Sequence, residues 1–125
     1  MRVLCIDDDE LNRRVVESML AVAGAEMIEA SDGATGLQLI ESADFDAVIL
    51  DLRMPDLDGI AVARRIRARD DARSTLPIVI VTADMGAHVR AECLSAGADE
   101  VIHKPVVMSA LFEVLGRALA KRARG

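Results

Sequence analysis

Four positions along the chain carry oxygen or nitrogen groups that suit the transfer of a phosphoryl group, and each one ends a short apolar run. They are the acidic cluster Asp7-Asp8-Asp9, Asp51, Thr82 and Lys104, which end the runs that begin at residues 3, 47, 78 and 101. If these runs are parallel strands of one sheet, the four positions meet at one edge. Ligands of open α/β sheets bind at that edge, outside the carboxyl ends of the strands.

The acidic cluster has two interpretations. Asp is favoured at the cap and in the first turn of a helix, and Asp9 is the best candidate for a cap. One cap needs one carboxylate, however, and three adjacent acids repel one another. Asp7 and Asp8 are therefore candidates for a metal site. Mg²⁺ suits them because it takes one or two carboxylates, keeps several waters and accepts phosphate oxygens.

Asp51 ends the most apolar run, and it is either a residue that caps a turn or a carboxylate nucleophile. Aspartyl phosphates are an established covalent intermediate. A carboxylate that attacks phosphorus needs a cation to screen the repulsion between oxygens, and the acidic cluster would hold one. Thr82 is either an ordinary strand residue or a hydroxyl that bonds a phosphoryl oxygen. Lys104 is either a surface lysine or the point charge that neutralises a second oxygen. Pro105 fixes the backbone after it and is compatible with a cis bond.

Apolar runs and helical patterns alternate along the chain. The predicted strands span residues 1–6, 25–30, 46–51, 77–82 and 100–103. The first predicted helix begins after the Asp9 cap and ends near residue 23, and the second is marked by Leu37, Ile40 and Ala43. The remaining predicted helices span residues 60–69, 87–96 and 107–121. Leu11, Val15, Met19 and Val22 fall on one face of the first helix. The alternation predicts right-handed crossovers and a parallel sheet. No linker or repeat is visible, so residues 1–125 are expected to form a single domain.

Composition excludes several classes of function. The 125 residues are 52% hydrophobic, which suits one domain with a real core. A net charge of −6 and the absence of Trp and Tyr argue against a nucleic-acid surface. No apolar run approaches the roughly 18 residues of a membrane span, and no signal-peptide pattern is present. Two cysteines without metal or disulfide spacing favour a cytoplasmic location. The basic stretches at residues 64–67 and 121–124 are interpreted as solvated helix faces.

Together these residues resemble the receiver domain of bacterial two-component response regulators. The matching segments are Ile6-Asp7-Asp8-Asp9, Asp51-Leu52-Arg53-Met54-Pro55-Asp56-Leu57-Asp58-Gly59, Val81-Thr82-Ala83, Gly97-Ala98-Asp99 and Lys104-Pro105. Each segment alone is a weak signal, but five in order at receiver spacing are very specific, and they cover nearly the whole chain. The resemblance implies a doubly wound (βα)5 sandwich with a five-stranded parallel sheet in the flavodoxin-like order 2-1-3-4-5. It also implies a single receiver domain without an output domain.

The resemblance further implies a phosphorylation-controlled signalling switch or a phosphorelay carrier. Asp51 would accept a phosphoryl group from a histidine kinase or a histidine phosphotransfer protein. Asp7, Asp8, Asp51 and the backbone carbonyl of Arg53 would hold Mg²⁺. Such a domain is not a turnover enzyme, although family members assist their own phosphorylation and lose the phosphate slowly to water. The start of the chain also looks like that of receivers in hybrid kinases.

Other residues would engage or modulate the phosphoryl group. Thr82 and Lys104 would sense it, and a downstream protein would contact the face made by helix 4, strand 5 and helix 5. Arg53 and Asp84, each two residues beyond a site residue, would modulate how fast water reaches it. Many receivers carry Tyr or Phe where this chain has Val101, so the usual aromatic switch is not expected here. We expect a smaller or differently routed change of shape.

His103 should lie on the same side of its strand as Val101. It is either a solvated residue at the edge or a contact on the output surface.

Three alternatives remain. A phosphatase of the haloacid dehalogenase type needs a second Asp two residues after the nucleophile, where this chain has Arg53, and it needs a cap domain. A protein-interaction module that never takes phosphate is disfavoured by the complete set of site residues. The chain can also be a receiver segment of a larger hybrid histidine kinase. Incubation with a small phosphodonor and Mg²⁺ separates receiver, phosphatase and interaction module.

Overall fold

The computed structural model describes residues 1–84 and 86–124, and within them five strands alternate with five α-helices. The strands are β1 (Arg2–Ile6), β2 (Glu26–Ala30), β3 (Ala47–Asp51), β4 (Ile78–Thr82) and β5 (Glu100–His103). The helices are α1 (Glu10–Val22), α2 (Gly33–Ser42), α3 (Gly59–Arg67), α4 (Ala87–Ser95) and α5 (Met108–Arg124). The predicted alternation is confirmed, with boundaries that differ by a few residues. A short 3₁₀ helix (Ala72–Thr75) between α3 and β4 was not predicted.

The strands form one sheet in the order β2-β1-β3-β4-β5, and every neighbouring pair is parallel. This confirms the doubly wound (βα)5 arrangement. The central strands β3 and β4 are buried along their whole length, because helices cover both faces of the sheet. All carboxyl ends of the strands therefore point to the same edge, and the residues that follow them are brought together there.

Alternate residues of each strand pack into separate hydrophobic clusters on the two faces of the sheet. Leu4 and Ile6 of β1 face the cluster that includes Ile40 of α2 and Ile66 of α3. Val3 and Cys5 face the cluster that α1 and α5 complete, with Leu20, Leu111 and Leu115 among its buried members. Cys5 packs as a buried small hydrophobe, and burial raises the pKa of its thiol to about 12.

The apolar face predicted for α1 is only partly the face that packs on the sheet. Leu11, Val15 and Val22 are exposed, whereas Met19 packs half-buried against the core beside the buried Val16 and Leu20. Two apolar stripes lie side by side on this helix, and the packing of the helix against the sheet selects one of them.

The interpretation of the basic stretch in α3 was correct for Arg64 and Arg65, which are exposed, and wrong for Arg67. The Arg67 guanidinium is largely buried and donates to the carbonyls of Ser74, Leu76 and Gly97. It therefore ties the end of α3 to the segments that precede β4 and β5.

Side-chain caps start three of the helices. Asp9, Asp32 and Asp58 each accept a hydrogen bond from a backbone N–H in the first turn of α1, α2 and α3. Gly24 and Gly97 have φ of 75° and 113°, the left-handed region that favours glycine after a helix end. Among residues 1–84 and 86–124, no helix combines the length and apolar character needed to cross a bilayer.

Candidate functional site

The structure brings the predicted site residues to the carboxyl edge of the sheet. Asp7 follows β1, Asp51 ends β3, Thr82 ends β4 and Lys104 follows β5. Asp7, Asp51 and Thr82 are buried, at 6%, 5% and 1% exposure. Buried polar side chains at adjacent strand ends are unusual in a sheet that is otherwise apolar, so this edge is the candidate site.

Three carboxylates converge at this edge. Oxygen atoms of Asp7, Asp8 and Asp51 all lie within 4.8 Å of one another. Asp9 stands apart from the cluster, because its side chain accepts from the Leu11 N–H at 2.9 Å and caps α1. Asp7 Oδ1 in turn accepts from the Asp9 N–H at 2.9 Å. One aspartate of the acidic run therefore caps the helix, and the other two join Asp51 in a hard oxygen site of the kind that suits Mg²⁺.

The Lys104 ammonium lies beside these carboxylates. Its Nζ donates to Asp51 Oδ1 at 3.0 Å and lies 3.8 Å from Asp7 Oδ2. The Lys104 backbone N–H donates to the carbonyl of Thr82 at 2.9 Å, so lysine and threonine lie side by side at the edge. The peptide bond from Lys104 to Pro105 is cis. One ammonium facing three carboxylates leaves the site with an excess of negative charge.

The electrostatics of the site reflect this excess. Burial, together with the charges of Asp7 and Asp8, raises the pKa of Asp51 to about 6 against the opposing effect of Lys104. Burial alone would lower the pKa of Lys104, but its hydrogen bond and charge interaction with Asp51 outweigh burial and the pKa is raised. A divalent cation among the carboxylates would supply the missing positive charge, so the donor set fits Mg²⁺.

A tight loop fixes the position of Asp51. The Gly59 N–H donates to the carbonyl of Leu52 at 2.9 Å, which closes the segment from 52 to 59 into a loop at the start of α3. A Cβ at Gly59 would stand 2.6 Å from the carbonyl oxygen of Asp51, so only glycine fits without moving the backbone there. Asp56 in the same loop has a left-handed φ of 69°.

The segment after Thr82 contacts both Thr82 itself and the loop that follows β3. The Thr82 hydroxyl oxygen accepts from the Asp84 N–H at 3.0 Å. Asp84 Oδ2 pairs with the Arg53 guanidinium at 3.0 Å, and both side chains are well exposed. The predicted pair of rim residues with opposite charges thus forms an ion pair between the loops that follow β3 and β4.

Sequence reasoning missed one contact at this edge. The Nε2 atom of His103 lies 3.2 Å from the carbonyl oxygen of Ala83, the residue after Thr82. Both interpretations from the sequence treated His103 as an outward-facing residue, and no pattern in the sequence signals a hydrogen bond from a side chain to a backbone carbonyl. Val101, two residues earlier, is buried in the cluster that faces α3 and α4.

Cavities lie at both edges of the sheet, and their linings differ. A small one of about 100 Å³ adjoins Asp7, Asp51 and Lys104. A larger one of about 400 Å³ lies at the far edge, beside Arg67 and Asp99. Arg67 and Asp99 bond each other there at 3.0 Å, and each also bonds backbone groups that hold the strand starts. The smaller cavity is therefore the one that adjoins the candidate site residues.

The fold, together with the acidic residues Asp7, Asp8 and Asp51 at the carboxyl edge of the sheet, is characteristic of one protein family. The chain belongs to the response regulator receiver domain family, whose pattern matches residues 3–116. The chain is a receiver domain, a signalling module homologous to parts of sensor histidine kinases and of response regulators.

Relatives include both kinases and response regulators. The chain is 36% identical over 124 residues to the sensor histidine kinase RcsC of Salmonella typhi, a match that covers 99% of this chain and 13% of the kinase. It is 37% identical over 124 residues to the response regulator MprA of Mycobacterium avium, covering 99% of this chain and 53% of MprA. The chain therefore spans about half of this regulator and a small part of the kinase.

Solved structures of similar proteins share the fold. The receiver domain of the sensor histidine kinase PA1611 from Pseudomonas aeruginosa superimposes with a TM-score of 0.86 at 31% identity, covering 95% of this chain and 97% of that one. That structure has a magnesium ion coordinated in its active-site cleft. The chemotaxis protein CheY4 of Vibrio cholerae gives a TM-score of 0.86 at 29% identity, covering 94% of this chain and 97% of that one.

Proposed function

We propose that Asp51 accepts a phosphoryl group from the phosphohistidine of a histidine kinase or phosphotransfer protein. An Oδ atom of Asp51 attacks phosphorus, a P–O bond forms, and the P–N bond to the donor breaks with its electron pair left on the imidazole. The observation that carries this proposal is the position of Asp51: it is buried, 3.0 Å from the Lys104 ammonium and within 4.8 Å of Asp7 and Asp8 oxygens.

Mg²⁺ is the proposed cofactor, held by Asp7, Asp8, Asp51 and the backbone carbonyl of Arg53. When bound, it supplies positive charge that offsets the repulsion between the carboxylate and the incoming phosphoryl oxygens. Support comes from the carboxylate cluster and from the chemistry of Mg²⁺, which prefers a few carboxylates and phosphate oxygens.

Thr82 and Lys104 are the proposed residues that engage the phosphoryl group. The Lys104 ammonium neutralises one phosphoryl oxygen, exchanging its bond to Asp51 for one to the modified side chain. The Thr82 hydroxyl, whose oxygen already accepts from the Asp84 N–H, keeps its proton free to donate to a second phosphoryl oxygen. Water then attacks the acyl phosphate slowly, so the modified state is transient and the domain is not a turnover enzyme.

The proposed readout is the face made by α4, β5 and α5, because β5 leads directly into Lys104 and pairs with β4, which carries Thr82. A change in the position of Thr82 or Lys104 can thus be passed through β5 to this face. Val101 occupies a buried position on β5, and we include it in the proposed switch as the residue that replaces an aromatic one. The proposed partners are proteins, since the net charge of −6 opposes nucleic acid, and the proposed location is the cytoplasm, where the free cysteines stay reduced.

The test is incubation with a small phosphodonor and Mg²⁺, read by intact mass. We expect one phosphate on the wild-type chain and none on Asp51→Asn. Continuous release of inorganic phosphate in large excess over protein would instead indicate a phosphatase. No uptake by a folded wild-type protein would leave a protein-interaction module as the better function.

A further inference from the structure

The His103 side chain of β5 contacts the segment after Thr82, in addition to the backbone hydrogen bonds that pair β4 with β5. Thr82 and His103 are paired residues of β4 and β5, and the Lys104 N–H donates to the Thr82 carbonyl at 2.9 Å. The His103 ring extends this pairing by one residue, because its Nε2 lies 3.2 Å from the carbonyl oxygen of Ala83. His103 precedes Lys104, and Ala83 follows Thr82. The contact therefore joins the two strand ends that carry the proposed phosphoryl-binding groups.

In the contact between His103 and Ala83, the acceptor is the Ala83 carbonyl oxygen. A carbonyl oxygen only accepts, so the imidazole donates through Nε2–H. The neutral tautomer with a proton on Nε2 and the doubly protonated ring both provide this donor. His103 is exposed, so water competes for the bond, and its effect is expected to be modest.

The same segment is held from the other side by Arg53. Its guanidinium pairs with Asp84 at 3.0 Å, and the Asp84 N–H donates to the Thr82 hydroxyl oxygen at 3.0 Å. The orientation of the Thr82 hydroxyl thus depends on where the Asp84 backbone lies. Ala83 connects Thr82 to Asp84, so fixing the Ala83 carbonyl also fixes the peptide that precedes Asp84.

We propose that His103 is a positioning residue for the phosphoryl chemistry: its bond to the Ala83 carbonyl holds the Thr82 hydroxyl at a fixed place relative to the Lys104 ammonium. The inference rests on the proposed function, since it gives His103 a role in that same site. His103 does not touch the phosphoryl group. It acts through the backbone on two groups that do, and so it controls how well a bound phosphoryl group is stabilised.

Loss of the bond frees the peptide between Ala83 and Asp84. The Thr82 hydroxyl then samples several positions, and a phosphoryl oxygen bound to it is held in only some of them. The modified Asp51 is stabilised less, and water reaches the acyl phosphate more often. Because one exposed hydrogen bond is involved, we expect a change of about two- to fivefold in each measured quantity.

The experiment compares His103→Gln with His103→Met. The amide nitrogen of glutamine is as many bonds from Cα as the histidine Nε2 and keeps a donor, whereas methionine has similar length and no donor. Arg117→Ala is the matched control, because it removes an exposed contact to Glu100 at the opposite end of the same strand. Each protein is phosphorylated with a small phosphodonor and Mg²⁺, and decay of the phosphate is followed by intact mass. Calorimetry measures the affinity for beryllium fluoride with Mg²⁺, a stable mimic of the phosphoryl group.

We expect His103→Met to speed decay and to weaken binding of beryllium fluoride by about two- to fivefold, with thermal stability unchanged. His103→Gln is expected to restore most of both values, and Arg117→Ala to leave both unchanged. Equal values for wild type and His103→Met would overturn the inference, and so would equal losses in the Gln and Met variants. If the wild-type protein takes up no phosphate, the proposed function fails instead, so the two failures are distinguishable.

Discussion

Lys104 and Asp51 form a partly buried ion pair at 3.0 Å, yet the pKa of Asp51 is raised to about 6 rather than lowered. Burial and the neighbouring charges of Asp7 and Asp8 together outweigh the single ammonium. The pocket of the metal-free protein therefore holds a carboxylate whose ionisation opposes folding. A cation beside Asp51, or a chemical modification of it, would relieve this cost of ionisation, which comes first from burial and then from the charges of Asp7 and Asp8.

The first prediction concerns stability against pH. The folded pKa of Asp51 lies above that of an unfolded aspartate, so its ionised form destabilises the fold above about pH 6, and this penalty disappears below about pH 4. Asp51→Asn removes the charge and keeps an oxygen for Lys104. We expect the variant to be more stable than wild type by about 2 kcal/mol at pH 7.5 and to match it near pH 4. Urea unfolding without Mg²⁺ measures both. If Asp51→Asn is less stable than wild type at pH 7.5, ionised Asp51 does not destabilise the fold.

The second prediction concerns Mg²⁺ and protons. Binding needs the ionised carboxylate, and the fraction of ionised Asp51 falls about tenfold between pH 7 and pH 5 when the pKa is about 6. We expect apparent Mg²⁺ affinity to fall by about the same factor over that range. Calorimetry at both pH values, in buffers of different ionisation enthalpy, measures the affinity and the proton released. Affinity that does not change with pH would contradict the raised pKa.

The third prediction concerns the rim pair. Arg53 and Asp84 bridge the loops after β3 and β4, and the Gly86 N–H and the Arg53 guanidinium hold the pKa of Asp84 below its usual value, so the carboxylate stays charged. We propose that this bridge limits the approach of water to the site. We expect decay of phosphorylated protein to change several-fold in Arg53→Asn and in Asp84→Ala. Arg64→Asn, an exposed arginine on α3, is the control. Decay that is unchanged in both rim variants would discard this role.

The fourth prediction concerns Arg67, at the edge of the sheet opposite the site. Its guanidinium donates to three carbonyls and to Asp99, so removing it takes the donor from the carbonyls of Ser74, Leu76 and Gly97, of which Leu76 is a buried residue. We expect Arg67→Met to lose about 3 kcal/mol of stability in urea unfolding. Arg64→Met, on an exposed side of the same helix, should lose almost nothing. Phosphate uptake by folded Arg67→Met should persist, because the site lies at the other edge. Stability losses that are equal in the two variants would contradict this.

The strands and the site edge were predictable from the sequence because they depend on local patterns. The continuous apolar run at 47–50 has no polar alternation, which is typical of a strand covered on both faces, and Asp51 follows it directly. The helix cap at Asp9 has the same local character. Once the strands were parallel, their ends had to meet, so the convergence followed from topology.

The remaining features depend on tertiary contacts that a single sequence does not encode locally. Arg67 has the same sequence surroundings as the exposed Arg64 and Arg65, and only the fold shows that it lies under carbonyls from two other segments. The buried stripe of α1 was chosen by its packing on the sheet. The bond from His103 to Ala83 needs a ring on one strand to reach a carbonyl past the end of another.

Because Gly59 packs closely on the Asp51 backbone, the loop after β3 has one part that holds Asp51 and another that lies around the pocket. The stem, where Gly59 bonds Leu52, determines where the acceptor carboxylate stands. Between these two residues, Met54 and Leu57 pack on the core, whereas the exposed Arg53 projects from the stem and pairs with Asp84. We therefore expect a substitution at Arg53 to change the surroundings of the pocket while the Gly59 stem keeps the acceptor carboxylate in place.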